Sequence, residues 1–185
     1  LASHGILKPA TGEPVATASQ DISFGCYYLT SVLEKAKGTG KAFSSFKEAK
    51  LAYENDAVDL RAVIKVVFSP KNPIEIISSL KETVTEPGLF ETTVGRIIFN
   101  KAVPRGYPFV NETLNKGSLR ALEGDIWDEY SEEATVVYLN KITQMGFYYA
   151  TWSGISLSMS DIHTPKEKDG IVEEAEAVIS QNRKL

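Results

Sequence analysis

The sequence predicts an α+β fold, mixed helices with a small antiparallel sheet, ending in a long helix. Three observations lead there. Two runs dense in Val, Ile and Phe, Leu60 to Phe68 and Glu91 to Val103, read as strands. Capping residues precede helix-like stretches at Asp21, Ser45, Ser131 and Thr164. Gly and Pro clusters punctuate the stretches between them.

In chain order, residues 1–19 are rich in Pro, Gly, Thr and Ala, with Pro9 and Gly12-Glu13-Pro14 marking an extended segment. Asp21 stands ahead of the apolar run Ile22 to Leu33; its carboxylate can accept free N–H groups, so a helix of about three turns is expected there. Gly38-Thr39-Gly40 closes it. Ser45-Phe46-Lys47-Glu48 is a capping box, and its helix carries Ala49, Ala52 and Tyr53 on one face before stopping near Asn55-Asp56. The strand from Leu60 follows. Residues 69–90, with Pro70, Pro73 and Pro87, read as a hairpin or insertion. After the strand from Glu91, Pro104-Arg105-Gly106-Tyr107-Pro108 is a turn. Asn115 to Tyr130 reads as a helix interrupted by Gly124. Ser131 caps a second helix, 132–145, with Val136, Leu139, Ile142 and Met145 along one face and Gly146 as its stop. Residues 147–162, aromatic and hydroxyl-rich, are expected as buried loop or short strand. Thr164-Pro165-Lys166-Glu167 combines an N-cap, Pro at the first helical position and Glu two residues on. The last helix then runs toward Asn182.

The composition limits the function classes. Apolar residues make up 43% of 185, enough for a packed core, and a charged fraction of 24% argues against disorder. The net charge of −4, with no basic block, gives no support to a free-standing nucleic-acid binder. The one cysteine, Cys26, excludes an internal disulfide and reads as a buried apolar residue. No run approaches the roughly 18 apolar residues of a membrane helix, and the start lacks a signal-peptide pattern. A reducing, cytoplasmic setting fits. The opening Leu1 and a chain end inside a helical pattern are expected of a piece of a longer polypeptide.

No complete catalytic set emerges. His4, Cys26 and His163 share no ligand spacing, so a zinc site is not expected. Asp125, Asp128 and Glu129 read as a solvated acidic face, because hard cations need several convergent oxygens. Gly38-Thr39-Gly40-Lys41 resembles a phosphate loop, but Lys35 stands where its first Gly belongs and Ala42 where its Ser or Thr belongs. Ser153 lacks the flanking glycines of a nucleophile elbow; Thr151 and Ile155 are there instead. Ser153, Ser156, Ser158 and Ser160 read as satisfied hydroxyls in a tight segment. Phe147, Tyr148, Tyr149 and Trp152 could stack on bases but read as core. The sequon Asn111-Glu112-Thr113 carries no weight without a secretory signal.

Ordered blocks carry a resemblance over nearly the whole chain. They are Ile6-Leu7-Lys8-Pro9-Ala10-Thr11-Gly12-Glu13-Pro14, Ser19-Gln20-Asp21 with Gly25-Cys26-Tyr27-Tyr28, Ala52-Tyr53-Glu54-Asn55, Thr92-Thr93-Val94-Gly95-Arg96, Pro104-Arg105-Gly106, Gly146-Phe147-Tyr148-Tyr149-Ala150-Thr151-Trp152-Ser153-Gly154 and Asp161-Ile162. In this order they resemble the beta-prime subunit of bacterial and organellar DNA-directed RNA polymerase. The family departs at Ala18, where it usually carries Pro, and at Gly117, where many members have a second Lys.

The resemblance implies an internal segment of a nucleotidyltransferase that is inactive alone. Residues 1–162 would be the pore domain lining the secondary channel, where NTPs enter and the backtracked RNA 3′ end is extruded. Residues 163–185 would start the funnel as the first rim helix, half of a helical hairpin. No catalytic residue and no metal ligand is expected within the chain; the Mg2+ of the full enzyme would sit outside it. Gln20, Arg96 and Lys116 are the expected channel-lining residues toward RNA or NTP, with Ser19 and Asp21 as structural support. Gln20 offers an amide that donates and accepts. Arg96 and Lys116 offer fixed cations, although Arg96 is equally suited to an ion pair with Glu91. Implied partners are the alpha, beta, omega and sigma subunits, the DNA template, RNA, NTPs and elongation factors that enter the channel, with no membrane; the implied location is the cytoplasmic nucleoid or an organelle. The alternative is a non-catalytic scaffold on which channel-rim factors dock.

Overall fold

Glycine decides how closely the central helices of this chain approach. A computed structural model describes residues 18–67, 76–77, 88–156, 158–163 and 165–182. The expectations for residues 1–17, for most of 69–90 and for the cap Thr164 lie outside them. The chain divides into two compact units, Leu1–Gly154 and Ile155–Leu185.

The first unit holds α1 (Asp21–Thr30), β1 (Ala42–Phe43), α2 (Phe46–Glu54), β2 (Val63–Val67), β3 (Ile76–Ile77), β4 (Leu89–Thr93), α3 (Val94–Phe99), β5 (Phe109–Val110), α4 (Lys116–Glu129) and α5 (Glu132–Ser153). The class is α+β. The principal sheet is mixed rather than purely antiparallel, in the order β1-β2-β4. β1 runs parallel to β2, with Phe43 opposite Val66. β2 runs antiparallel to β4, with Lys65 opposite Glu91. A connection through α2 brings β1 and β2 side by side, and a parallel pair is what such a crossover produces. β3 and β5 form a second, parallel pair.

The capping signals worked as local chemistry. Ser45 Oγ accepts from the Glu48 N–H, while the Glu48 carboxylate reaches back to Ser44, taking its N–H at 2.7 Å and its hydroxyl at 2.6 Å. Asn115 caps α4 and Ser131 caps α5 in the same manner. At α1 the N-cap falls on Gln20, so Asp21 stands in the first helical turn, where a carboxylate favours the exposed N–H groups by charge.

Three elements depart from the local reading. The expected second strand stops at Thr93, and the chain turns into the six-residue helix α3. Thr93 Oγ1 accepts from the Arg96 N–H at 3.2 Å. Gly95 sits so tightly against α1 that an added Cβ would lie 1.8 Å from the Leu29 carbonyl oxygen. This contact outweighs the β-propensity of Val94, Ile97 and Ile98.

α4 runs unbroken through Gly124 because Leu119, Leu122, Glu123 and Ile126 anchor one face in the core. α5 runs unbroken through Gly146 to Ser153 and ends at Gly154, whose φ of 61° suits a left-handed cap. Gly146 is therefore a crossing point and not a stop. A Cβ on Gly25 would lie 1.8 Å from the Gly146 carbonyl oxygen, and one on Gly146 would lie 2.6 Å from the Ile22 carbonyl oxygen. The buried spine of α5 is Thr135, Tyr138, Ile142, Gly146 and Tyr149. An apolar-only search slides past it because it opens with a threonine and a tyrosine.

Consequently residues 147–153 are helical, and of the aromatic set only Tyr149 is buried; Phe147, Tyr148 and Trp152 are exposed, the last two with stacked rings. The rest of the core joins the sheet to α2 through Phe46, Phe90 and Phe109, whose rings pack at 5.3 to 5.9 Å.

In the second unit Met159–Asp161 forms a single 3-10 turn, capped by Ser158, whose N–H donates to Asp161 Oδ2 at 2.8 Å. The hydroxyl-rich stretch there is exposed rather than buried. α6 spans Lys168–Asn182, starting a few residues after the expected cap because residues 166–167 form a turn.

The glycine crossing makes one substitution act oppositely at two sites. Gly25→Ala is expected to cost about 3 kcal/mol or more by forced overlap. Gly124→Ala, where a Cβ meets open space, is expected to add about 0.5–1 kcal/mol. Urea midpoints followed by circular dichroism read both.

Candidate functional site

α1 positions the residues that the sequence singled out. At its N-terminal end the segment Ala18-Ser19-Gln20 is held from two sides. The Ala18 N–H donates to Glu123 Oε1 on α4 at 3.0 Å. The Ser19 carbonyl accepts from the Ile22 N–H, and the Gln20 carbonyl accepts from the Phe24 N–H at 2.9 Å and from Ser23 Oγ at 2.8 Å. Ala18 is buried, Ser19 half-buried and Gln20 exposed. Gln20 has φ 48° and ψ −123°, a backbone state that favours glycine. A side chain held in such a state costs on the order of 1–3 kcal/mol and persists only where its surroundings demand it.

The other end of α1, about 15 Å away by helical rise, carries a polar clasp. Arg96 Nε donates to the Thr30 carbonyl at 3.0 Å, Nη1 to the Asn111 carbonyl at 3.0 Å and to Asn111 Oδ1 at 3.2 Å, and Nη2 to Thr113 Oγ1 at 3.3 Å. Thr30 Oγ1 donates to the Cys26 carbonyl and accepts the Leu114 N–H at 2.9 Å. Asn100 completes the clasp by donating to the Arg96 and Val110 carbonyls while accepting the Val110 N–H, each at 2.8 Å. One guanidinium thus joins α1, α3 and the loop from Asn111 to Leu114 that leads into α4. Burial pushes the Arg96 guanidinium down from its ordinary range, and Glu112 partly offsets this. Glu91 is paired with Lys65 at 3.6 Å, and in place of the alternative Arg96–Glu91 pair the guanidinium has neutral acceptors.

Lys116 opens α4 directly after that loop and is exposed. The structure therefore brings Arg96 and the approach to Lys116 together, and sets Gln20 at the opposite end of α1. Lys41 of the phosphate-loop lookalike donates to the Ala57 carbonyl at 3.0 Å. Ser153 Oγ donates to the Ala150 carbonyl at 2.7 Å. Asp125, Asp128 and Glu129 are exposed, with Asp125 accepting from the Tyr107 hydroxyl at 3.2 Å. Among the described residues, no three His, Cys, Asp or Glu side chains converge to hold a metal.

Glu123 was missed by the sequence reading. It is fully buried on α4. Burial pushes its carboxyl above the ordinary glutamate range, and the Ala18 N–H and Arg120 offset this only in part. Burial, then the nearby Glu123, pushes the Cys26 thiol up to about 12. Burial, then Glu123, Cys26 and Tyr107, pushes the buried Tyr138 phenol up. The available signal was position: Glu123 lies four residues after Leu119 and three before Ile126, on the apolar face of a helix.

Comparison with known proteins follows the same residues. Residues 5–162 match the family model for RNA polymerase Rpb1, domain 3. The DNA-directed RNA polymerase subunit beta′ of a Dehalococcoides mccartyi strain is 43% identical over 176 residues, 95% of this chain and 12% of that protein. The subunit beta′ of Beutenbergia cavernae is 41% identical over 177 residues, 95% of this chain and 14% of that protein. That of a Sulfurihydrogenibium species is 42% identical over 175 residues, 95% of this chain and 10% of that protein. The chain thus spans a small part of the length of the relatives it matches.

Two substitutions test the geometry. Arg96→Lys keeps the charge but loses the planar fork, and is expected to cost about 1.5–3 kcal/mol in urea unfolding. For Glu123 the folded carboxyl titrates above the unfolded one. Its stabilising contribution is complete below the unfolded value and is lost as pH rises through the folded value. Glu123→Gln, which cannot ionise, is expected to gain on the parent chain as pH rises above the ordinary glutamate range, read from urea midpoints across a pH series.

Proposed function

The chain belongs to the RNA polymerase Rpb1 domain 3 family, and from that premise we propose that it is a segment of a beta-prime subunit that shapes the secondary channel during DNA-templated RNA synthesis. The observation that carries the reading is about 40% identity along 95% of the chain to beta-prime subunits. In this reading the chain makes no bond itself. The two-metal displacement belongs, in the same reading, to carboxylates elsewhere in the subunit.

The channel role draws support from the outward groups. Gln20 presents a neutral amide from a strained, braced backbone; such a group can touch ribose or RNA without trapping a polyanion. Lys116 places an exposed cation in the first turn of α4, where the helix dipole disfavours one, and an external phosphate would relieve that conflict. Arg96 contributes charge from behind the surface, its nitrogens being used to hold the wall. Ser19 and Asp21 support the Gln20 turn. The partners of the proposal are the alpha, beta, omega and sigma subunits, template DNA, RNA and NTPs. In this reading residues 1–162 form the pore domain and residues 163–185 begin the funnel as its first rim helix. Among the described residues no helix is long and apolar enough to cross a membrane.

A second reading, a docking scaffold for factors at the channel rim, is favoured by Ile171, Val172, Val178 and Ile179, all exposed on α6. The two readings separate in the assembled polymerase. Under the channel reading, Gln20→Ala shifts elongation or transcript cleavage by about two- to tenfold without any factor present, the worth of one lost hydrogen bond. Unchanged factor-free kinetics would remove Gln20 from the channel, and turnover of NTPs with Mg2+ by the chain alone would contradict the proposal.

A further inference from the structure

Glu123 occupies a position where an apolar side chain would serve the core better. Its neighbours on α4, Leu119, Leu122 and Ile126, are buried with it. Burying a carboxyl without full hydrogen bonding is costly. One bond is shown for it, the Ala18 N–H at 3.0 Å, joining residues 105 apart in sequence. Its other oxygen, Oε2, is buried and makes no hydrogen bond among the described residues, as is the Tyr138 hydroxyl. A group kept in the core at such cost, bonded to a partner 105 residues away, points to what that partner carries. Ala18 leads within two residues to Gln20, exposed and at φ 48°.

We propose that Glu123 is the positioning residue of the Ala18-Ser19-Gln20 turn: from inside the core it fixes the backbone of this segment and so the direction in which the Gln20 amide is presented. The first turn of α1 holds the segment from one side, through the Ser19 and Gln20 carbonyls. Glu123 holds it from the other. With both grips in place the strained Gln20 backbone is over-determined; with one gone it relaxes. The significance for RNA rests on the reading of Gln20 as a channel residue, whereas the anchoring itself does not.

The role needs an acceptor oxygen and no charge. Among the described residues, the Cys26 thiol of α1, the Tyr138 phenol of α5 and Arg120 on its own helix interact electrostatically with the carboxyl, and burial disfavours the anion. A glutamine carbonyl would accept the same N–H, while a methionine of similar size would fill the space and accept nothing.

The test compares Glu123→Gln, Glu123→Met and Gln20→Ala in the assembled polymerase. Amide hydrogen exchange is followed over 18–24 and, as a control, over 135–149 of α5. Glu123→Met is expected to speed exchange at 18–24 by tenfold or more, leave the α5 peptide unchanged and alter the KM for NTP in the same direction as Gln20→Ala. Glu123→Gln is expected to restore all of these to within twofold of the parent. If Glu123→Met fails to assemble, Glu123→Asp, which withdraws the oxygen by one methylene, carries the same expectation for exchange. Unchanged exchange at 18–24, or a Gln variant as loose as the Met variant, overturns the proposal. If the Met variant loosens the turn while Gln20→Ala is kinetically silent, the anchor stands and the channel reading of Gln20 falls.

Discussion

Backbone meets backbone where α1 crosses α5, and the first unit is built around that contact. Gly25 and Gly146 leave no room for a Cβ on either side, since each would overlap the main chain of the other helix. A second contact of this kind, Gly95 under the Leu29 carbonyl, presses α3 onto the same helix. α1 is thereby located by main-chain contact at its middle and its end, which allows little sliding or rotation. Close packing of this kind transmits displacement instead of absorbing it.

Both ends of α1 consequently become fixed points. The C-terminal end presents the Thr30 carbonyl and hydroxyl to Arg96 and Leu114, and so sets the loop that delivers Lys116. The N-terminal end presents Gln20, braced by α4 through Glu123. Arg96, Asn100, Thr30 and Glu123 direct polar atoms inward. Of the residues proposed to face the channel, Gln20 and Lys116 are the exposed ones.

The local signals that succeeded were those with a short-range mechanism. Caps at Ser45 and Ser131 are hydrogen bonds closed within four residues, and they hold whatever surrounds them. The strand from Val63 and the turn at Pro104–Pro108 also followed from local chemistry. Signals with two meanings misled. Gly146 is equally good as a helix stop or as a helix crossing, and only the partner at Gly25 distinguishes them. Val94 to Phe99 has the composition of a strand, but Thr93 and the tight seat of Gly95 make it a helix. The exposed aromatics Tyr148 and Trp152 were read as core by composition; a continuous α5 turns them outward while Tyr149 is buried.

The sequence by itself determined the family, the α+β class and the caps at Ser45 and Ser131, because those depend on residue identity and short spacing. The use of each polar group was decided only by the tertiary structure. Packing against the ends of α1 and α3 gave Arg96 carbonyl, amide and hydroxyl oxygens as hydrogen-bond partners. Glu123 looked like one more acid on a helix until folding placed it in the core beside an N–H from 105 residues earlier. Pairings over that distance arise from chain closure, and no local pattern encodes them.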